Sequence, residues 1–301
     1  MKKKLIIDAD SLCFHNERVK SENQAISDLT DKLYNISKLT GVNQTDFEMY
    51  LTKGRKSIRY SIDPRYKANR IDGSQPPVFA KTLKEHLIEY YNATFDEMYE
   101  ADDLVADRYR EDPNNFILAA IDKDVLKNTA GYHFNYFYTI FDFVKVTEQE
   151  AFTNFHTQLI TGDMGDNVPS LHKGLGPKTI LSLSKESNMN IDDLVRYICQ
   201  AKNIDYLKRY RMLYMGKKLP KIEEKYFESN EVIDNYLHGI KTKKTKKSTS
   251  KSNRFFDHNN CFKFGKYKGR NLSEVRIKNP GYIMWCAKEI PELSKILNKN
   301  E

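Results

Sequence analysis

The chain has 301 residues, enough for one large α/β domain with a smaller appendage and a core that needs no disulfides or structural metal. Its formal charge is +8, which by itself describes only a soluble basic protein with a mild bias toward acidic partners such as nucleic acid. Four cysteines (Cys13, Cys199, Cys261 and Cys286) with no C-x-x-C pair exclude a disulfide framework and a zinc ribbon and suit a reducing, intracellular setting.

In chain order, Lys2-Lys3-Lys4 resembles the start of a signal peptide. Only Leu5, Ile6 and Ile7 follow before Asp8, too few for an apolar h-region. The segment reads instead as a first buried strand ending at Asp8. Ala25, Ile26, Leu29, Leu33 and Ile36 recur at helical spacing, and Phe47 to Leu51 reads as a second strand. Pro76 and Pro77 precede an amphipathic helix carrying Val78, Leu83, Leu87 and Tyr91, and Asp102 to Tyr109 reads as another helix. Asn115 to Ile121 gives the strongest strand signal and ends at Asp122. Tyr132 to Tyr138 and Phe143 to Val146 read as a strand pair. From Gly174 to about His238 the pattern predicts continuous helical structure. Lys241 to Lys251 has no apolar residue and reads as a tether, and Phe255 to Leu297 regains apolar content. No segment is long and apolar enough to span a membrane.

The alternation predicts an α/β fold with a mainly parallel central sheet flanked by helices. In such a sheet Asp8 and Asp122, each at a strand's carboxyl end, meet at one edge, where ligands bind. Further acidic points are Asp10, Glu100, Asp102, Asp103, Asp124, Asp163 and Asp166. Each alone reads as surface or as a helix cap. Gathered at one edge they repel one another, and hard cations such as Mg²⁺ or Mn²⁺ relieve that repulsion. Two such ions roughly 4 Å apart suit phosphodiester hydrolysis. Arg59-Tyr60 and Tyr66-Lys67-Ala68-Asn69-Arg70 interleave basic and aromatic side chains, and Arg70 to Pro77 reads as a loop that carries them over the metal edge. Gly174-Leu175-Gly176-Pro177-Lys178 reads as a tight turn into a helix whose N-terminus, with Lys178, faces a phosphate.

These motifs, in this order, resemble those of the bacteriophage and bacterial 5′→3′ exonucleases and flap endonucleases, including the 5′-nuclease domain of DNA polymerase I. The similarity covers about residues 1–235 and rests on Ile6-Ile7-Asp8-Ala9-Asp10, Tyr66 to Arg70, Glu100 to Asp103, Asp122-Lys123-Asp124, Gly162 to Pro169 and Gly174 to Lys178. The resemblance implies a PIN-like fold and a Mg²⁺-dependent nuclease acting on DNA flaps, nicks or 5′ ends in replication or repair. It implies one metal site from Asp8, Glu100, Asp102, Asp122 and Asp124, and a second from Asp124, Asp163 and Asp166. Tyr66, Lys67 and Arg70 take catalytic positions at the base of an arch, with Lys67 on the scissile phosphate. The glycine turn falls in a helix–three-turn–helix that grips duplex backbone, with a bound K⁺. Two departures stand out: Thr52 replaces a family aspartate, for which Asp10 is the candidate substitute, and Gln158 stands where some relatives carry a basic residue.

The expected organisation is a nuclease domain over 1–160, a helical DNA-binding region over 161–240, a Lys-rich linker over 241–254 and a small domain over 255–301. The last resembles the C-terminal domain of exodeoxyribonuclease X-like proteins through Phe262 to Leu272 and Pro280 to Trp285, and binds DNA or a replication protein on that reading. Tyr282 and Trp285, three apart on a helix, are expected in its miniature core. The expected location is cytoplasmic, in a bacterial host if phage-encoded. An RNA-primer-removing ribonuclease, acting on an RNA–DNA hybrid, and a catalytically silent DNA-binding protein are the alternatives.

Overall fold

The computed structural model describes residues 3–14, 19–54, 57–70, 77–137, 141–239, 255–256, 261–263 and 265–289. The chain divides into two compact units, Met1–Lys241 and Thr242–Glu301. The expected tether, and residues 71–76 of the loop expected above the metal edge, lie outside the described residues.

The first unit opens with β1 (Lys4–Asp8), α1 (Asp10–Phe14), α2 (Glu22–Thr40) and β2 (Phe47–Thr52). It continues through α3 (Ile58–Ile62), α4 (Ala80–Tyr91), β3 (Thr94–Asp96), α5 (Ala101–Glu111) and β4 (Phe116–Ala120). Then come α6 (Lys123–Asn128), β5 (Gly131–Asn135), β6 (Asp142–Val146) and α7 (Glu148–Thr161). The six strands form one sheet in the order β3-β2-β1-β4-β5-β6, parallel except for the antiparallel β5–β6 pair. The chain leaves β1 to build one side of the sheet and returns at β4 to build the other. The β1–β4 seam is therefore the topological switch point, where ligands of open α/β sheets bind.

Side-chain alternation in β1 explains why it is central. Leu5 and Ile7 pack with Leu29 and Leu33 of α2 and with Leu83 and Leu87 of α4 on one face. Ile6 packs with Val105 and Tyr109 of α5 and Val125 of α6 on the other. Burying each such side chain contributes about 1.5–3 kcal/mol. Helix α2 is fixed at both ends: the Ser21 hydroxyl accepts from the Gln24 N–H at 3.3 Å, and Gly41 closes it with φ 69°.

A second core lies in the helical layer formed by α7, α8 (Pro177–Glu186), α9 (Ile191–Ala201), α10 (Tyr206–Leu213) and α11 (Glu231–Leu237). Helix α7, which the apolar periodicity above does not pick out, carries a capping box between Thr147 and Glu150. The expectation of unbroken helical structure from Gly174 to His238 is corrected: residues 214–230 form no helix. Gly216 has φ 146°, and a Cβ there would meet Asp107 Oδ1 at 2.5 Å. Pro220 and a charged run follow, and the Gly216 and Lys217 N–H groups bond to Asp103 and Asp107 of α5 instead of a helical ladder.

No helix among the described residues is long and apolar enough to cross a membrane. In the second unit α12 (Leu272–Lys278) and α13 (Pro280–Glu289) pack on Phe255, Phe256 and Phe262. Here the sequence expectation fails for Trp285, which is 52% exposed. The core positions of α13 are Ile283 and Cys286, also three apart and one residue out of phase with Tyr282 and Trp285.

Candidate active site

Chain direction and helix caps bring the acidic residues to the carboxyl edge of the sheet. Asp8 ends β1, and Asp122 follows β4 as the N-cap of α6, accepting from the Asp124 N–H at 2.7 Å. Glu100 is the N-cap of α5, so Asp102 and Asp103 fall in its first turn. Asp163 and Asp166 lie on the turn after α7. There Asp163 bridges to Val168, and its Oδ1 accepts from the Gly165 N–H at 2.8 Å. Gly162 makes that turn feasible: its φ is 75°, and a Cβ would meet the Val168 carbonyl oxygen at 2.3 Å.

One half of the site is saturated with cations. Arg59 is 3% exposed and grips Asp103 with both guanidinium nitrogens at 2.8 Å, with Glu100 at 3.1 Å. It also donates to the Met212 and Tyr214 carbonyls. This corrects one expectation: Arg59 is buried and not on a DNA-facing surface. Asp103 has its oxygens engaged by Arg59 and by the Glu100 and Gly216 N–H groups. Beyond this pair, the buried Tyr66 hydroxyl lies 2.8 Å from Glu100 Oε2 and 2.7 Å from Asp166 Oδ2; with one proton it donates to one of them at a time. Lys67 Nζ is 2.6 Å from Glu100 Oε1 and 3.8 Å from Asp166 Oδ2. Arg70 Nη2 is 2.5 Å from Asp166 Oδ1. Lys67 holds the left-handed φ of 53°, fixed by its N–H donating to the Asp166 carbonyl at 3.0 Å. Burial pushes the Glu100 carboxyl up, but Lys67 and Arg59 outweigh it and hold the group below its ordinary range.

The other half is anionic. Among the described residues no basic side chain forms an ion pair with Asp8, Asp102, Asp122, Asp124 or Asp163. Burial pushes the Asp8 carboxyl well above its ordinary range, and Asp102, Asp10 and Asp122 push it further. Asp102 rises to about 7 through burial and then Glu100, and Asp124 to about 6 through burial, Asp122 and Asp163. Clustered carboxylates without a counter-charge are the donor chemistry of a hard divalent ion, so the residues present fit one. Among the described residues, no three acidic, imidazole or thiol groups close into a ready-made metal cage. Glu100 and Asp166 are held instead by Lys67 and Arg70.

Comparison with solved structures resolves the architecture. The bacteriophage T5 D15 protein co-crystallised with metal ions superposes with a TM-score of 0.53 at 16% identity, over 70% of this chain and 89% of that one. The T5 flap endonuclease in a pseudo-enzyme–product complex with DNA and metal ions gives the same values. A T5 5′-exonuclease mutant matches with a TM-score of 0.53 at 14% identity, over 80% and 98% of the two chains. The fold is the 5′-nuclease fold. Residues 262–290 match the exodeoxyribonuclease X-like C-terminal family. No curated protein sequence matches the chain.

On this 5′-nuclease fold the remaining expected residues separate into groups. Asp10 is engaged within the fold: its Oδ1 is 2.6 Å from Lys84 Nζ, and both its oxygens lie 3.2 Å from the Thr52 N. Thr52 in turn accepts the Ala101 N–H at 2.9 Å and, through its carbonyl, Lys84 Nζ at 2.9 Å. This contact of Lys84 with Asp10 is one that sequence reasoning misses, since a lysine on an amphipathic helix gives no signal. Gln158 donates to Asp124 Oδ2 at 2.8 Å and accepts from Asn128 at 2.6 Å, which orients that carboxylate. Gly174, with φ 91°, and Gly176 lead into α8 with Pro177 at its first turn, and Lys178 is exposed there. The turn is anchored in the helical layer by Leu175 and Ile180 and by Tyr236, whose hydroxyl donates to the Gly174 carbonyl at 3.2 Å.

Proposed function

We propose that this protein is a structure-specific 5′→3′ exonuclease and flap endonuclease that hydrolyses DNA phosphodiesters near 5′ ends with divalent metal ions, in DNA replication or repair. The observation that carries the reading is the row of uncompensated carboxylates at the β1–β4 switch point, flanked by Lys67 and Arg70. Asp8, Glu100, Asp102, Asp122, Asp124, Asp163 and Asp166 would hold two Mg²⁺ or Mn²⁺ ions. When bound, such ions lower the pKa of water and stabilise a leaving oxygen.

The chain's own residues supply the rest. Lys67 and Arg70 exchange Glu100 and Asp166 for the phosphate, placing positive charge where negative charge develops in the transition state. Tyr66, rigidly buried, sets the orientation of Glu100 and Asp166. The Gly174–Lys178 turn offers a helix N-terminus and Lys178 to a duplex phosphate away from the cut, where a K⁺ would add positive charge. Holding the duplex there positions the 5′ strand at the carboxylates. The cytoplasm, where DNA and reduced thiols coexist, is the compartment this reading assigns.

Digestion of 5′-labelled flap, nicked and blunt DNA, with Mg²⁺ and with EDTA, tests the reading. Cleavage near the 5′ end that EDTA abolishes and Asp163→Ala removes is expected. Binding without cleavage under every metal condition would leave a silent DNA-binding protein, and preference for an RNA flap would move the assignment to primer removal.

A further inference from the structure

The second unit carries an exposed aromatic surface beside a basic turn. Trp285 stacks on Tyr282 with ring centroids 5.8 Å apart and 30° between planes, yet remains 52% exposed. Met284, next to it on α13, is 73% exposed, and Ile277 on α12 is 84% exposed. Tyr282 is itself fixed by Tyr267, edge-on at 4.9 Å. It also lies under the turn Gly265-Lys266-Tyr267-Lys268-Gly269. Gly265 has φ 67°, and a Cβ there would meet the Tyr282 hydroxyl at 2.2 Å, so the turn closes directly on this ring. The turn presents exposed Lys266 and Lys268, with Arg270 next to it. Residues 261–289 hold seven Lys or Arg against two Glu.

We infer that this face is a binding site for single-stranded nucleic acid. An unpaired base stacks on Trp285 across from Tyr282, and Lys266 and Lys268 neutralise the adjoining phosphates. The chemistry selects this ligand over a duplex, whose bases are already stacked and hidden, and over an acidic peptide, which has no planar ring for the indole. Aromatic platforms bordered by cations bind single strands with little sequence preference. The site belongs to the second unit, and binding there does not depend on cleavage at the carboxylate edge.

Trp285 is the only tryptophan in the chain, so its fluorescence reports this site alone. The experiment titrates the full chain, in EDTA to prevent cleavage, with a dT oligonucleotide, reading indole emission and, with a labelled oligonucleotide, anisotropy. The expected result is saturable quenching that parallels the anisotropy change. Replacing Trp285 by Ala should weaken binding by about tenfold, a stacking contribution within the usual range. The double variant Lys266→Ala/Lys268→Ala keeps the reporter, and should lower the slope of log affinity against log salt by about 1.4, the value for two lost phosphate contacts on a single strand. Oligonucleotide binding that leaves Trp285 emission unchanged would overturn the inference. So would quenching by blunt duplex at equal affinity, or a salt slope indifferent to the two lysines.

Discussion

Lys84 Nζ on α4 sits 2.6 Å from Asp10 Oδ1 and 2.9 Å from the Thr52 carbonyl, locking α1 to the end of β2 beside the buried Asp8. The lysine thus answers a carboxylate that the sequence offers as a metal ligand. Replacing Lys84 by Met should have two opposed effects. The metal-free chain loses about 1 kcal/mol, because Asp10 is left part-buried and unmatched. Mn²⁺ binding tightens, because the edge becomes more anionic. Asp8→Asn should weaken Mn²⁺ binding more than Asp10→Asn does. Urea denaturation and calorimetric Mn²⁺ titration read the two effects, and a weaker Mn²⁺ affinity in Lys84→Met would count against this account.

Arg59 and Asp103 form a buried bidentate pair, 4% and 1% exposed at their side chains. Removing one partner leaves a buried charge without compensation. Arg59→Met should therefore cost about 3–5 kcal/mol in denaturant unfolding, and Asp103→Asn should be strongly destabilising as well. Milder conditions that keep Arg59→Met folded should leave duplex affinity unchanged, since the guanidinium reaches no DNA surface.

The carboxylates also set a pH dependence. Asp102 and Asp124 have folded pKa values of about 7 and about 6, above the ordinary 3.8, and Asp8 is raised as well. The folded state therefore binds protons more tightly than the unfolded state. The resulting stabilisation is complete below the unfolded value and is lost as pH climbs through about 6 to about 7. Glu100, depressed by Lys67 and Arg59, acts in reverse and loses its contribution only in acid. Thermal unfolding in EDTA should show a lower Tm near pH 8 than near pH 5.5, with saturating Mg²⁺ narrowing or reversing the gap. An unchanged gap with Mg²⁺ would argue that the cation binds elsewhere.

Much of this was legible in the chain. The apolar runs at Leu5–Ile7 and Phe116–Ala120 are buried on both faces, so they announce central parallel strands, and the acids after them fall at the edge by topology alone. What was not legible depends on partners distant in sequence. Arg59 reads as a basic surface residue until α10 and α5 close around it. Trp285 and Cys286 adjoin on one short helix, and only packing decides which of them faces Phe262. The short β3 and the 214–230 segment take their form from neighbouring strands and from Asp107, not from their own periodicity.

Gly162 offers a test of how tightly the fold sets the site. Its φ of 75° and the 2.3 Å approach to the Val168 carbonyl leave no space for a methyl group, and the obstacle is backbone, which cannot rotate away. Asp163 and Asp166 hang on this turn, which also holds Lys67 through the Asp166 carbonyl. Gly162→Ala should cost about 2 kcal/mol or more, from the left-handed backbone and the displaced strand bridge together. Because the bridge between Asp163 and Val168 must open, Mn²⁺ affinity should fall along with stability. Gly176→Ala is the matched control: a Cβ there meets nothing within 4 Å and its φ of −84° is ordinary, so stability and Mn²⁺ affinity should both hold. Calorimetric titration of both variants separates a local rearrangement at the carboxylates from a general loss of structure, and equal Mn²⁺ affinity in the two would detach the Gly162 turn from the metal edge.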